Sequence, residues 1–187
     1  KTAYEIRLSL VGSEMCIRDS YGEALVQWQK DYETAARAET LQKEPVPFLI
    51  SQMANWNDRE DSDIPLQQLS AHLAAPGKVI LIGATYMLPF ASDCIHYTSA
   101  GERRLGEYFA KVYKKVVVDR AAWEPLRPMV VSLDDVTITV KFHVPVPPLV
   151  LDTQQVSDPN GAFGFEYSDD GDTPTINDVQ VASDDTV

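Results

Sequence analysis

A continuous apolar run, Val79-Ile80-Leu81-Ile82 between Lys78 and Gly83, most constrains how this chain can fold. The run shows no alternation of polar and apolar residues, and it is too short to cross a membrane. Such a run is typical of a parallel strand that is buried on both faces, which requires a layer of helices on each side of its sheet. The fold class that it predicts is therefore α/β.

Helix and strand patterns alternate around this run. Pro65 fits the first turn of a helix, where its missing N–H costs nothing, and Glu44-Pro45 and Pro76-Gly77 end the helices before them. The resulting α-β-α-β-α order is typical of a doubly wound parallel sheet. The predicted elements are a helix at 21–42, a strand at 46–52, a helix at 64–74, a strand at 78–84 and a helix at 99–117.

Apolar residues at helical spacing predict which faces of the three helices are buried. Ser99 with Glu102 three residues later also has the form of a capping box, which predicts the start of the last helix. The predicted apolar positions are Leu25, Trp28, Tyr32 and Ala35 or Ala36 in the first helix, Leu66, Leu69 and Leu73 in the second, and Leu105, Phe109, Val112 and Val116 in the third.

The period changes after a linker at 119–128 that contains Trp123 and two prolines. Strict alternation over Val136–Phe142 is typical of a half-exposed antiparallel strand, and residues 129–187 are expected to form a partial β-sandwich-like domain. Ser183–Val187 is predicted to be a hairpin turn whose return strand is missing. The predicted strands are Met129–Leu133, Val136–Val144, Phe163–Tyr167 and Thr175–Val181.

Asp93 lies three residues ahead of His96, in the loop between the second strand and the last helix. A carboxylate can fix the tautomer of an imidazole, and the imidazole can then take a proton from a nucleophile and return it to a leaving group. Open α/β sheets place their active sites after the carboxyl ends of their strands. The pair is therefore a candidate catalytic pair, and the alternative is a capping Asp beside a surface His.

The segment from Tyr21 to Val118 resembles the C-terminal half of an SGNH (GDSL-type) hydrolase, closest to the sialate O-acetylesterase-like carbohydrate esterases. The resemblance implies a three-layer α/β/α flavodoxin-like domain, with Asp93 and His96 as two members of a Ser-His-Asp triad. The family's Ser block and its oxyanion-donor blocks precede this region, and none occurs in this chain. The residues that carry the resemblance are Asp93, His96, Thr98, Gly101, Leu105 and Gly106, with Pro47–Gln52 as the preceding core strand.

Residues 1–20 resemble a translated sequencing adaptor. Lys1–Ile6 and Val11–Asp19 match two separate adaptor blocks in one frame, so we exclude this segment from fold reasoning, as one would a processing segment. Natural sequence is then expected from about Tyr21, and the missing Ser block is expected to be a truncation of the gene.

Taken with the resemblance, these patterns predict a fragment of a serine esterase that hydrolyses ester groups, O-acetyl above all, on carbohydrates. The fragment itself is expected to be inactive, and no cofactor or metal site is predicted. Two alternatives stay open: a structural protein of a virus or surface assembly, and a non-catalytic carbohydrate-binding protein that uses aromatics such as Trp123, Phe163, Phe165 and Tyr167.

The charge pattern bears on possible partners. The net charge is −12, and residues 151–187 contain nine acidic residues and no Lys or Arg. Such a surface repels phosphate backbones and anionic lipids, so we expect neither nucleic acid nor a membrane as a partner. Cys94 is the single cysteine outside the adaptor-like segment, which does not support a disulfide. Localisation and oligomeric state stay open.

Other candidate sites have simpler interpretations. The aspartates at 169, 170, 172 and 178 lack the ligand order of an EF-hand loop, so a solvated turn is favoured over a calcium site. Ser51 follows a strand but lacks a nucleophile elbow. Trp56-Asn57-Asp58 superficially resembles the family's Gly-x-Asn-Asp block, but it follows the wrong strand, which favours a loop that lines the cleft.

The remaining chemistry-bearing side chains are interpreted as structural. His72 is predicted to face solvent on its helix, and the alternation of its strand predicts that His143 faces outward. Neither has a partner at metal-ligand spacing. Cys94 lies too close to Asp93 and His96 in the loop for attack geometry, and we expect it to form part of a pocket floor.

Overall fold

The computed structural model describes residues 14–54, 63–154, 161–167 and 174–187, with side chains described from Ser20 onward. The chain divides into two compact units between Trp123 and Glu124. This boundary falls inside the predicted linker at 119–128, while the assignment of the two units as an SGNH domain and a β-sandwich-like domain stays a prediction.

Within residues 14–54 and 63–123, the first unit contains three helices, two short strands and a π-helical turn. The α-β-α-β-α order predicted from the sequence is confirmed, although both strands are shorter than expected and the first helix begins earlier. The elements are α1 at Glu14–Thr40, β1 at Phe48–Ile50, α2 at Ile64–Ala74, β2 at Val79–Leu81, α3 at Ser99–Tyr113 and a π-helical turn at Lys114–Val118.

β1 and β2 form a two-stranded parallel sheet in which Leu49 lies opposite Ile80. All three residues of β2 are buried, as the continuous apolar run predicted, whereas β1 is half-buried. Helices cover both faces of this sheet. Leu25 of α1 and Ala71 of α2 pack with Val79 on one face, and Val112 of α3 packs with Ile80 and Ile82 on the other. The α/β class is confirmed.

Side chains close the edge of β2 that faces away from β1. The Trp123 indole N–H donates a hydrogen bond to the carbonyl oxygen of Leu81 at 2.9 Å. His72 Nδ1 lies 3.0 Å from the carbonyl oxygen of Val79 and 3.4 Å from the backbone nitrogen of Leu81. His72 is buried, so the prediction that it faces solvent is wrong. Depending on its tautomer, Nδ1 donates to the Val79 carbonyl or accepts from the Leu81 N–H, so the ring satisfies one backbone group that a further strand would otherwise satisfy.

The buried face of α2 also differs from the prediction. Leu66 is 63% exposed and Leu73 is 49% exposed, and the buried residues are Gln68, Ala71 and His72. Gln68 Oε1 accepts a hydrogen bond from the backbone N–H of Met53 at 2.7 Å. The helix thus turns hydrogen-bonding side chains towards loop and strand backbone, which hydrophobic spacing alone does not reveal.

In α1, the predicted burial of Leu25 is confirmed, but Trp28 and Tyr32 are more than half exposed. Gln29 and Glu33 are buried instead. Gln29 Nε2 donates hydrogen bonds to Glu33 Oε2 at 2.7 Å and to the carbonyl oxygen of Val46 at 2.9 Å. A polar pair therefore ties α1 to the segment that leads into β1.

The second unit contains an antiparallel hairpin of β3 at Arg127–Asp134 and β4 at Thr137–His143. The predicted turn at Asp134-Asp135 is confirmed, with Asp135 in the left-handed region at φ 53°. Ser183 and Thr186 form a bridge, which confirms the predicted turn there. Val187 then pairs with Val140, so the residues after this turn add to the outer edge of β4.

The other two strands predicted for this unit are wrong. Neither 161–167 nor 174–181 contains a strand. Phe163 and its neighbours Gly161 and Gly164 have positive φ angles, which breaks an extended conformation. In 174–181 the turn-favouring pair Asn177-Asp178 interrupts the apolar pattern. Within the described ranges the unit is a hairpin with an added C-terminal segment, and no second sheet of a sandwich is present.

Candidate functional site

The candidate site lies in the loop that connects β2 to α3. Phe90 and Tyr97 form an antiparallel bridge at the base of this loop, and their rings are 4.7 Å apart between centroids. Inside the bridge, the backbone N–H of Ala91 donates to the carbonyl oxygen of His96 at 2.7 Å. The backbone N–H of Cys94 donates to the carbonyl oxygen of Ala91 at 2.9 Å. These bonds fold residues 91–96 into a compact, solvent-exposed turn.

Asp93 and His96 are in direct contact at the tip of this turn. His96 Nδ1 lies 2.8 Å from Asp93 Oδ2. The second oxygen, Oδ1, accepts hydrogen bonds from the backbone N–H groups of Ile95 and His96, each at 3.0 Å. The carboxylate therefore organises both the backbone of the turn and the imidazole ring.

These three hydrogen bonds determine the charge state of Asp93. The bond from His96 Nδ1 is the main cause that lowers the pKa of the Asp93 carboxyl well below its usual range, and the two backbone N–H groups lower it further. An ionised Asp93 accepts a hydrogen bond from Nδ1–H, so the neutral imidazole carries its proton on Nδ1 and its lone pair on Nε2. This tautomer is the one that a general base requires.

The Nε2 side of the imidazole faces solvent. The His96 side chain is 79% exposed and that of Asp93 is 48% exposed. None of the residues that the structure describes hydrogen bonds to Nε2, and no described hydroxyl group serves as its nucleophile. The pair can therefore accept or donate a proton at Nε2, but the group that would exchange it is not among the described residues.

A chain of hydroxyl groups anchors the loop to the carboxyl end of β1. The Tyr97 hydroxyl donates to Thr85 Oγ1 at 2.9 Å, and Thr85 Oγ1 donates to the carbonyl oxygen of Gln52 at 2.7 Å. Thr85 is buried. Neither Thr85 nor Tyr97 was predicted from the sequence, where their signal is weak: a Thr after a buried strand and a Tyr beside the candidate His.

The start of α3 fixes the other end of the loop. Thr98 is the N-cap, and its Oγ1 accepts a hydrogen bond from the backbone N–H of Gly101 at 3.2 Å. The predicted capping box at Ser99 is therefore wrong by one residue, while the predicted apolar stripe of α3 packs on the sheet as expected. Gly101 allows the first turn to approach Pro89, because a Cβ at this position would lie 2.5 Å from the carbonyl oxygen of Pro89.

The other candidate residues do not join this pair. Cys94 is exposed with φ 55°, so the predicted place on a pocket floor is wrong. This left-handed residue forms the bend that brings Ile95 and His96 back over Asp93. Ser51 follows β1 and makes no hydrogen bond to His96. Trp56-Asn57-Asp58 lies outside the described residues.

Two further expectations concern His143 and metal binding. His143 is half-buried, with Nδ1 3.0 Å from the carbonyl oxygen of Pro125, so it is not the outward-facing residue predicted. Asp178 lies within the described ranges, whereas Asp169, Asp170 and Asp172 lie outside them. Among the described residues no cluster of His, Cys, Asp and Glu could hold a metal ion.

Trp123, one of the aromatics named for the carbohydrate-binding alternative, contacts its own chain through both its indole N–H and its ring. Its indole N–H donates to the carbonyl oxygen of Leu81, and its ring lies beneath two ammonium groups, Lys111 Nζ at 5.5 Å and Lys115 Nζ at 5.4 Å from the centroid.

A groove of about 700 Å³ lies along β1, and its lining includes neither member of the Asp93–His96 pair. Its lining residues include Val46, Leu49, Phe109, Tyr113 and Val117.

No protein-family model matches the chain, and comparisons with curated proteins and with solved structures find no match. Across the described ranges, no helix is both long and apolar enough to span a membrane.

Proposed function

We propose that Asp93 and His96 are the acid–base half of a serine esterase of SGNH type, which hydrolyses O-acetyl esters on carbohydrates. The observation that carries the proposal is the 2.8 Å contact between Asp93 Oδ2 and His96 Nδ1, which leaves Nε2 open to solvent. The location supports it as well, since the pair follows the carboxyl end of a buried parallel strand. The substrate class rests on the sequence resemblance alone.

In this mechanism His96 Nε2 takes the proton of a serine hydroxyl as that oxygen attacks the ester carbonyl. Asp93 stays ionised and stabilises the imidazolium that forms. His96 then returns the proton to the departing sugar oxygen, which breaks the ester bond and leaves an acyl-enzyme. A water molecule, deprotonated in turn by His96, releases acetate and restores the serine. The serine and the oxyanion donors are proposed to belong to a segment encoded upstream of Tyr21.

Extension of the gene upstream of Tyr21 tests the proposal. We expect the extension to encode a Gly-x-Ser block, and we expect the longer protein to release acetate from O-acetylated sugars and to react covalently with a serine-directed fluorophosphonate. Asp93→Asn should lower kcat by roughly 10⁴-fold, because the asparagine stabilises the wrong tautomer of His96. An extended protein that reacts with neither reagent, or whose kcat is unchanged by His96→Ala, would exclude the proposed activity.

A further inference from the structure

The hairpin of β3 and β4 has one edge that is already covered. Val140 donates its backbone N–H to the carbonyl oxygen of Val187 at 2.7 Å, and Val187 donates back to Val140 at 3.0 Å. The N–H of Phe142 donates to the carbonyl oxygen of Asp185 at 2.7 Å. Residues 185–187 therefore cover the outer edge of β4 from Val140 to Phe142.

Among the described residues, none pairs with the outer edge of β3. Backbone groups of successive residues alternate between the two edges of an antiparallel strand, so Val140, which bonds to Val187, cannot also bond its cross-strand neighbour Val131. The same alternation applies to Leu133, which lies opposite Ile138. The backbone N–H and C=O groups of Val131 and Leu133 thus point away from β4, and no described residue hydrogen bonds to them.

From Val130 to Leu133 this edge contains no charge, no proline and no bulge. The side chains of Val131 and Leu133 are 64% and 60% exposed, on the face that they share with Val140 and Ile138. A long, uncharged, apolar edge readily accepts another strand, and a bulge near Met129 distorts only its beginning.

We propose that this edge is the interface with a second copy of the chain, formed by two β3 strands that pair antiparallel about a two-fold axis at Ser132. Val131 then lies opposite Leu133 of the partner subunit, and both backbone groups of each residue are satisfied. The hairpins become one sheet that continues from each C-terminal segment to the other.

The pattern of β3 favours a copy of itself over an unrelated strand. Two-fold pairing places apolar residues opposite each other on one face and serine opposite serine on the other, and it brings no like charges face to face. Residues 185–187 cover the opposite edge along Val140–Phe142, and an interface formed by one edge with its own copy about a two-fold axis closes as a dimer. The net charge of −12 opposes association, so screening by salt should strengthen the dimer.

Cross-linking tests the register. Opposed residues of a pair without hydrogen bonds have Cα atoms about 4.5 Å apart, which a disulfide can bridge. In a Cys16→Ser, Cys94→Ser background, oxidised Ser132→Cys should run as a covalent dimer. Val130→Cys is the matched control on the same face of β3, and it should stay monomeric because the two-fold axis lies two residues away. Absence of the dimer from Ser132→Cys, or equal cross-linking of both variants, overturns the proposal.

Association of the full chain without cross-links is the second test. Sedimentation equilibrium should show a monomer–dimer equilibrium, and Leu133→Lys should raise its Kd at least about tenfold because a lysine blocks strand pairing. Val136→Lys adds the same charge in the turn, where the side chain is 87% exposed, and should leave Kd within about twofold. A strictly monomeric chain, assemblies larger than dimers, or equal effects of both lysines contradict the two-fold interface.

Discussion

At the residue scale, Asp93 holds its loop through an ionised carboxylate. Its pKa is lowered in the folded chain by the bond from His96 and by two backbone N–H groups. The contribution of the ionised carboxylate to the stability of the folded chain is therefore complete above the ordinary pKa of an aspartate. It is lost only as the pH falls through the lowered pKa of Asp93. The turn should thus keep its hydrogen bonds at pH values where most carboxylates are already protonated.

NMR titration of the Asp93 carboxyl carbon measures this shift. We expect its midpoint below the ordinary aspartate range in the unchanged chain and a higher midpoint in His96→Ala, because that variant loses the largest cause of the shift and keeps the two backbone donors. A midpoint that is the same in both proteins would mean that the imidazole does not bind the carboxylate in solution.

Sequence spacing found this pair because Asp93 and His96 are close along the chain, so a single turn brings them together. It did not find Thr85 or Tyr97, since their contact joins positions that are twelve residues apart and depends on how the loop folds back. His72 shows the same limit: its partners are backbone atoms of β2, and backbone groups carry no sequence signature.

At the scale of elements, the packing of α3 against its own loop depends on one glycine. A Cβ at position 101 would meet the carbonyl oxygen of Pro89 at 2.5 Å and Tyr97 Cβ at 3.0 Å. Gly101→Ala should therefore destabilise the chain by about 1–3 kcal/mol, because the helix must move away from the loop. Urea unfolding monitored by circular dichroism measures the change.

Gly106 provides the matched control in the same helix. A Cβ there meets nothing within 4 Å, so Gly106→Ala should stabilise α3 by up to about 1 kcal/mol through helix propensity alone. Equal effects of the two substitutions would show that the close approach at Pro89 does not persist in solution.

Within the described residues, hydrophobic periodicity predicted the three helices of the first unit. The bounds of α2 were predicted in full, because Pro65 marks its first turn and Pro76-Gly77 its end. Periodicity failed where polar residues are buried, as with Gln29 and Glu33 in α1. In the second unit, strict alternation of apolar and polar residues predicted β4. The short apolar stretches near Gly161 and Asn177 predicted strands that do not form, since a strand also needs a neighbouring strand to pair with.

At the scale of the whole molecule, the proposed function predicts that this chain by itself has no esterase activity. His96 Nε2 can accept a proton, but no described residue presents a hydroxyl to it. Catalysis by a triad also needs its nucleophile and oxyanion donors. The chain should therefore hydrolyse p-nitrophenyl acetate no faster than its His96→Ala variant, measured by release of nitrophenolate at pH 8.

Faster hydrolysis by the unchanged chain would show that a nucleophile, a serine or the imidazole itself, already acts within it. Labelling by fluorophosphonate would separate these two cases, because only a serine forms the stable adduct.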